Sequence, residues 1–174
     1  MGLSIAISGG IVTFSIVYAM MSFTTVVDDS TKISTSQSEM SNILFSRLQT
    51  NIVISNLQDS GGTSPASFRI TNTGNTLLWN YNNFDVIITY QENATNYPIL
   101  TETLKYTNSC SSLTAGQWCI PQIQNDYIHP GMLDPGKIAT INVHPSNPTA
   151  SGGTFTAEFG TDNGVSTYSS VKIT

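Results

Sequence analysis

Between Met1 and Val27 there is no charged side chain. Leu3 to Val27 instead carries Ile5, Ile7, Ile11, Val12, Phe14, Ile16, Val17, Tyr18, Met20, Met21 and Phe23. Wound as a helix, such a stretch is roughly 37 Å long against a hydrocarbon core of about 30 Å, so the surplus permits tilt. Ala6, Ser8, Gly9, Gly10 and Ala19 suit a lipid-embedded helix without forming a clear G-x-x-x-G pair. A cleaved secretory signal would have a basic start, an apolar run of about 7–15 residues and an A-x-A-like site, and none is present. Residues 1–29 therefore read as a retained transmembrane anchor with a single span. No Lys or Arg flanks its start, so the positive-inside rule sets no orientation.

Asp28 and Asp29 mark emergence into water. Ser36-Gln37-Ser38-Glu39 has the capping-box pattern ahead of an apolar stretch, in which Met40, Ile43, Leu44 and Leu48 recur at helical spacing. This predicts a short helical stalk over residues 30–50 with one apolar stripe. The stripe needs a partner, either the chain's own following domain or another subunit. One uninterrupted helix from the membrane to Gln49, with Ser36 on its surface, fits the same residues.

From Asn51 onward the period changes from helical to two. Runs rich in Val, Ile, Thr, Phe and Tyr alternate with Gly, Pro and Asn clusters. Strands are expected at 51–57, 67–72, 85–90, 100–107, 138–143, 154–160 and 167–174. Turn chemistry falls between them at Ser60-Gly61-Gly62, Thr73-Gly74-Asn75, Asp134-Pro135-Gly136 and Asp162-Asn163-Gly164. Asn163-Gly164 between two alternating runs reads as a hairpin. No long helix fits between strands, so residues 51–174 are expected to form an antiparallel, immunoglobulin-like sandwich. The expected fold class is an all-β immunoglobulin-like sandwich preceded by an N-terminal transmembrane α-helix and a short helical stalk.

Six basic against eleven acidic residues, a net charge of −5, leave no footprint for phosphate backbones, which excludes nucleic acid as a partner. Charged residues are 10% of the chain, well below the roughly 25% of ordinary soluble domains, and polarity comes from Thr, Ser, Asn and Gly. That composition suits a β-rich surface outside the cell.

Cys110 and Cys119 are the only cysteines. They bracket a turn-like segment and read as a disulfide, which places the domain in an oxidising exterior. Asn93-Ala94-Thr95 is a glycosylation sequon between two expected strands. His129 and His144 stand beside prolines without metal-ligand spacing. Asp126 and Asp134 near His129 are expected to be loop solubilisers. G-x-S-x-G, Walker A and G-x-G-x-x-G sequences are absent, so no catalytic, cofactor or metal residue is assigned. Trp79, Tyr81 and Phe84 follow the Thr73-Gly74-Asn75 turn, while Trp118 and Tyr127 lie in and after the cysteine segment. These aromatics are expected chiefly as a buried lid. A convergent polar pocket would instead favour a ligand-binding module.

The arrangement resembles the archaellum accessory proteins of the FlaF and FlaG type. Met1-Gly2-Leu3-Ser4 leads directly into the hydrophobic helix, Phe68 to Thr76 resembles their early strand and turn, and Leu133-Asp134-Pro135-Gly136-Lys137 precedes another strand. The resemblance implies a non-enzymatic, static part of the archaeal motility motor, anchored in the cell membrane with its C-terminal domain extracytoplasmic. It also implies other archaellum accessory proteins and the surface-layer protein as partners. A filament subunit, archaellin or type IV pilin-like, is the related alternative. Archaellins have basic residues before the Gly of their processing site, and here Met1 alone precedes Gly2. Homo- or hetero-oligomers are expected, through β-edges or through Met40, Ile43, Leu44 and Leu48.

Overall fold

A computed structural model describes residues 2–174, with the side chains of 2–8 and 23–30 outside the description. The chain falls into two compact units, Met1–Leu44 and Phe45–Thr174.

A single helix, α1, runs unbroken over Gly2–Gln49. It passes straight through Ser36, so the capping-box residues sit inside a helix and start none. Among the described residues no helix is long and apolar enough to cross a membrane. The anchor expected over 1–29 falls in large part on side chains outside the description. Where α1 is described, its hydroxyls bond back along the helix. Thr13 donates to the Gly9 carbonyl at 2.8 Å, Ser15 to Ile11 at 2.9 Å and Ser22 to Tyr18 at 2.9 Å. Each hydroxyl thereby finds an acceptor without water.

The second unit contains eight strands: β1 Ile52–Gln58, β2 Ala66–Asn72, β3 Asp85–Gln91, β4 Ile99–Tyr106, β5 Gln117–Ile123, β6 Ile138–His144, β7 Thr154–Gly160 and β8 Ser166–Lys172. Their order is β1-β2-β6-β5-β4-β3-β7-β8. The terminal strands β1 and β8 approach one another, giving a sandwich close to a barrel. Seven strands match the period-two runs of the sequence. The eighth, β5, lies partly within the segment expected as a turn. Pro121 cannot donate to a ladder, and the β5–β6 register shifts between Cys119 and Gln122, so the proline sits at an irregularity. The antiparallel expectation also has one exception, because β4 and β5 pair in parallel through Lys105 with Gln117 and Tyr106 with Trp118.

Strand alternation builds the core. Val86, Ile88 and Tyr90 of β3 face inward while Ile87 and Thr89 face out. Phe159 is the hub, with Phe68, Phe84 and Trp118 at centroid distances of 6.4, 5.7 and 5.8 Å, all edge-on. Edge-to-face rings gain about 0.5–1.5 kcal/mol per pair beyond burial.

The register gives this unit two distinct ends. Ile52 opposes Asn72, and Thr71 opposes Ile138. Ala139 opposes Ile123, and Asp85 opposes Gly160. The last turn of α1 therefore enters at the end that carries the β2–β3, β5–β6 and β7–β8 connections. The β1–β2, β3–β4 and β6–β7 connections lie at the other end.

Candidate functional site

At the entry end, Asn163 of the β7–β8 turn donates through Nδ2 to the Thr50 hydroxyl at 2.7 Å and to the Ser46 hydroxyl at 3.1 Å. Arg47 donates to the Gly164 carbonyl at 3.3 Å. From the β2–β3 connection, the Asn75 amide bonds Gln49 O at 2.7 Å, and the Gly74 amide bonds Asn51 O at 2.9 Å. A Cβ at Gly74 would collide with Asn51 N and Gln49 O, which is why this turn takes glycine. Of the carbonyls that a helix end leaves without partners, that of Gln49 is thus occupied by the sandwich. Nothing in the local sequence of Ser46, Thr50 and Asn163 announces this joint, since the partners are more than a hundred residues apart.

The stripe residues Met40, Ile43, Leu44 and Leu48 are all exposed, Leu48 to 85%. Phe45, off the helical spacing of that stripe, is 62% exposed. Five exposed apolar residues thus fall within nine positions of the helix.

Cys110 and Cys119 are joined, with Cα atoms 5.5 Å apart. Cys110 opens a short 3-10 turn and Cys119 is buried in β5, so the bridge ties the β4–β5 connection to the sheet. Asn93 is exposed in the β3–β4 connection, at the end away from helix entry, and its backbone amide bonds Pro148 O at 2.8 Å.

The β5–β6 connection is held by ions, which corrects the expectation of loop solubilisers. Lys137 pairs with Asp134 and, at 3.5 Å, with Asp126. His129 Nδ1 lies 2.7 Å from Asp134 Oδ1, and Asp126 Oδ2 accepts from the Gly131 amide at 2.7 Å. The Lys137 ammonium, helped by His129, holds Asp134 below the usual carboxylate range, and Asp134 in turn raises Lys137. His144, at the end of β6, sets Nδ1 3.0 Å from Pro145 O.

The aromatics divide. Tyr81, Phe84 and Trp118 are buried, as a lid would be, whereas Trp79 is 59% and Tyr127 87% exposed. Ile128 beside Tyr127 is exposed too. Among the described residues no group of three or more His, Cys, Asp or Glu could hold a metal ion.

No family model matches the chain, and no curated protein matches it. Solved structures do. The archaellum periplasmic stator protein FlaG from Sulfolobus acidocaldarius is 20% identical, with a TM-score of 0.50, over 70% of this chain and 99% of that one. The archaeal flagellum of Methanospirillum hungatei strain JF1 is 16% identical, with a TM-score of 0.54, over 100% of this chain and 94% of that one. The fold is therefore one used by archaellum proteins, as the sequence resemblance implied.

Proposed function

We propose that this chain is a non-enzymatic structural component of an archaellum. In this reading residues 1–29 anchor it in the cell membrane, residues 30–50 form a helical stalk, and residues 51–174 stand outside the cytoplasm. It tethers the motor to the surface layer, with other accessory proteins and the surface-layer protein as partners. The observation that carries the reading is one continuous 48-residue helix leading into a sandwich with the fold of a stator protein. Hydroxyls satisfied within the helix suit a lipid surrounding, where an unpaired donor is expensive. The disulfide suits an oxidising exterior. The hydrogen bonds that tie Ser46, Arg47 and Thr50 to the β7–β8 turn suit a part under load.

A filament subunit assembling through its N-terminal hydrophobic helix is the second reading. The likeness to the Methanospirillum flagellum supports it, since it extends over the whole chain, helix included. Either way, the exposed Met40, Ile43, Leu44 and Leu48 are the surface for a homo- or hetero-oligomer, and Asn93 is the position for a glycan.

Affinity purification of the intact chain from cross-linked native cells separates the readings. A tether brings down motor and surface-layer proteins with the membrane fraction. A filament subunit is recovered from sheared extracellular filaments, mainly with its own copies. Recovery with neither set contradicts both.

A further inference from the structure

Asn163-Gly164 is the one Asn-Gly pair of the chain. Such a pair is chemically weak, because glycine has no side chain to keep its amide nitrogen away from the preceding carboxamide. In succinimide formation, Gly164 N bonds to Asn163 Cγ and the Cγ–Nδ2 bond breaks. The side-chain nitrogen leaves as ammonia, taking the proton from Gly164 N. Water then opens the five-membered ring at either carbonyl and leaves aspartate or isoaspartate. The carboxylate so formed has no N–H to give, whereas Asn163 Nδ2 donates to the Thr50 and Ser46 hydroxyls at 2.7 and 3.1 Å.

The folded turn restrains each atom of that step. The Gly164 amide donates to Thr161 O at 2.9 Å, which ties the attacking nitrogen into the turn. Thr161 Oγ1 lies 2.6 Å from Asn163 Oδ1, so the carboxamide is gripped at its oxygen. At its nitrogen the grip comes from Thr50 and Ser46, including Ser46 O at 3.4 Å. Arg47, donating to Gly164 O, holds the other side of the same peptide. We propose that Asn163 is a deamidation site kept shut by its contacts with Ser46, Arg47 and Thr50. Conversion then records each opening of this joint and deprives the reclosed joint of the Nδ2 donor. Closing is far faster than succinimide formation, so the conversion rate is that of the free sequence multiplied by the open fraction. The inference does not depend on a role in an archaellum.

The test keeps the full chain in detergent, in mildly alkaline buffer well below its melting temperature, and follows conversion of Asn163 by peptide mapping with mass spectrometry. An unstructured peptide of residues 160–166 gives the unprotected rate. The parent chain is expected to convert at least about tenfold more slowly than the peptide. Ser46→Ala combined with Thr50→Val removes both hydroxyl acceptors and should speed conversion about threefold or more. Arg47→Ala, at an exposed position, should act in the same direction. Cys110→Ala with Cys119→Ala lowers stability away from this joint and should leave the rate at Asn163 unchanged, which separates local opening from global unfolding. A parent chain that converts as fast as the peptide overturns the proposal. So does a rate that neither joint variant raises, or a cysteine variant accelerated as much as the joint variants.

Discussion

Asn163 Nδ2 lies 2.7 Å from the Thr50 hydroxyl, and this contact joins the β7–β8 turn to the end of a helix 113 residues earlier in the chain. Thr50 is buried, and its hydroxyl also donates to Ser46 O at 2.9 Å. Asn163→Ala would leave that hydroxyl without its donor and free the Ser46 hydroxyl. A loss of about 1–3 kcal/mol is expected, the cost of a buried polar group deprived of a partner. Chemical denaturation of the variant measures it, and faster amide exchange at Thr50 would place the damage at the joint.

Gly74→Ala should harm the same joint by a different route. The added methyl meets backbone at Asn51 and Gln49, which cannot swing aside as a side chain would. Overpacking of this kind costs about 1–3 kcal/mol. Gly10→Ala has nothing within 4 Å of the new Cβ and serves as the control. Comparing their denaturation midpoints tests the claim, and equal midpoints would refute it.

Opening the Cys110–Cys119 bridge should lower stability by about 2–3 kcal/mol, because the closed loop is short and the chain-entropy gain grows slowly with length. Replacing both cysteines with alanine avoids an unpaired thiol. The midpoint shift of the double variant in non-reducing buffer should equal the shift that reductant causes in the parent chain.

The ionic clasp at Asp134 and Lys137 predicts a pH profile. Asp134 is held low in the folded state, so its contribution is present above the unfolded carboxylate range and is lost as pH falls through the depressed value. Lys137 is held high, so its contribution is present below the unfolded lysine range and is lost as pH rises through the elevated value. Between about pH 4 and 10 both are charged and the clasp is complete. Melting temperature against pH should show Asp134→Asn less stable across that plateau, with a shallower acid limb than the parent. Identical acid limbs would contradict the assignment.

Much of this architecture can be read from local pattern. Alternation at Val86, Ile88 and Tyr90 and the Asn163-Gly164 turn announce strands and hairpin because both signals lie within a few residues. Strand β5 escapes because Pro121 and a register shift interrupt its ladder. The parallel β4–β5 pairing escapes because Tyr106 and Trp118 meet across a connection whose path no local rule specifies. The sequence allows a continuous α1 through Ser36 as well as a helix start there, since a Ser-x-x-Glu pattern occurs on helix surfaces as well as at helix starts. Of the exposed patch, Met40, Ile43, Leu44 and Leu48 follow from spacing, while Phe45 lies off that register. The shallow depression lined by Tyr81, Tyr106, Gln122 and Asp126 has no local signal at all, because these residues come from separate strands and connections.

The most direct test is the location of the native chain together with the redox state of Cys110 and Cys119. Intact cells are treated with a thiol-blocking reagent, then fractionated with an alkaline carbonate wash. The account predicts recovery in the washed membrane pellet with both cysteines oxidised and the region after residue 51 cleaved by protease added outside the cell. Recovery from the cytosol with both thiols alkylated would contradict it.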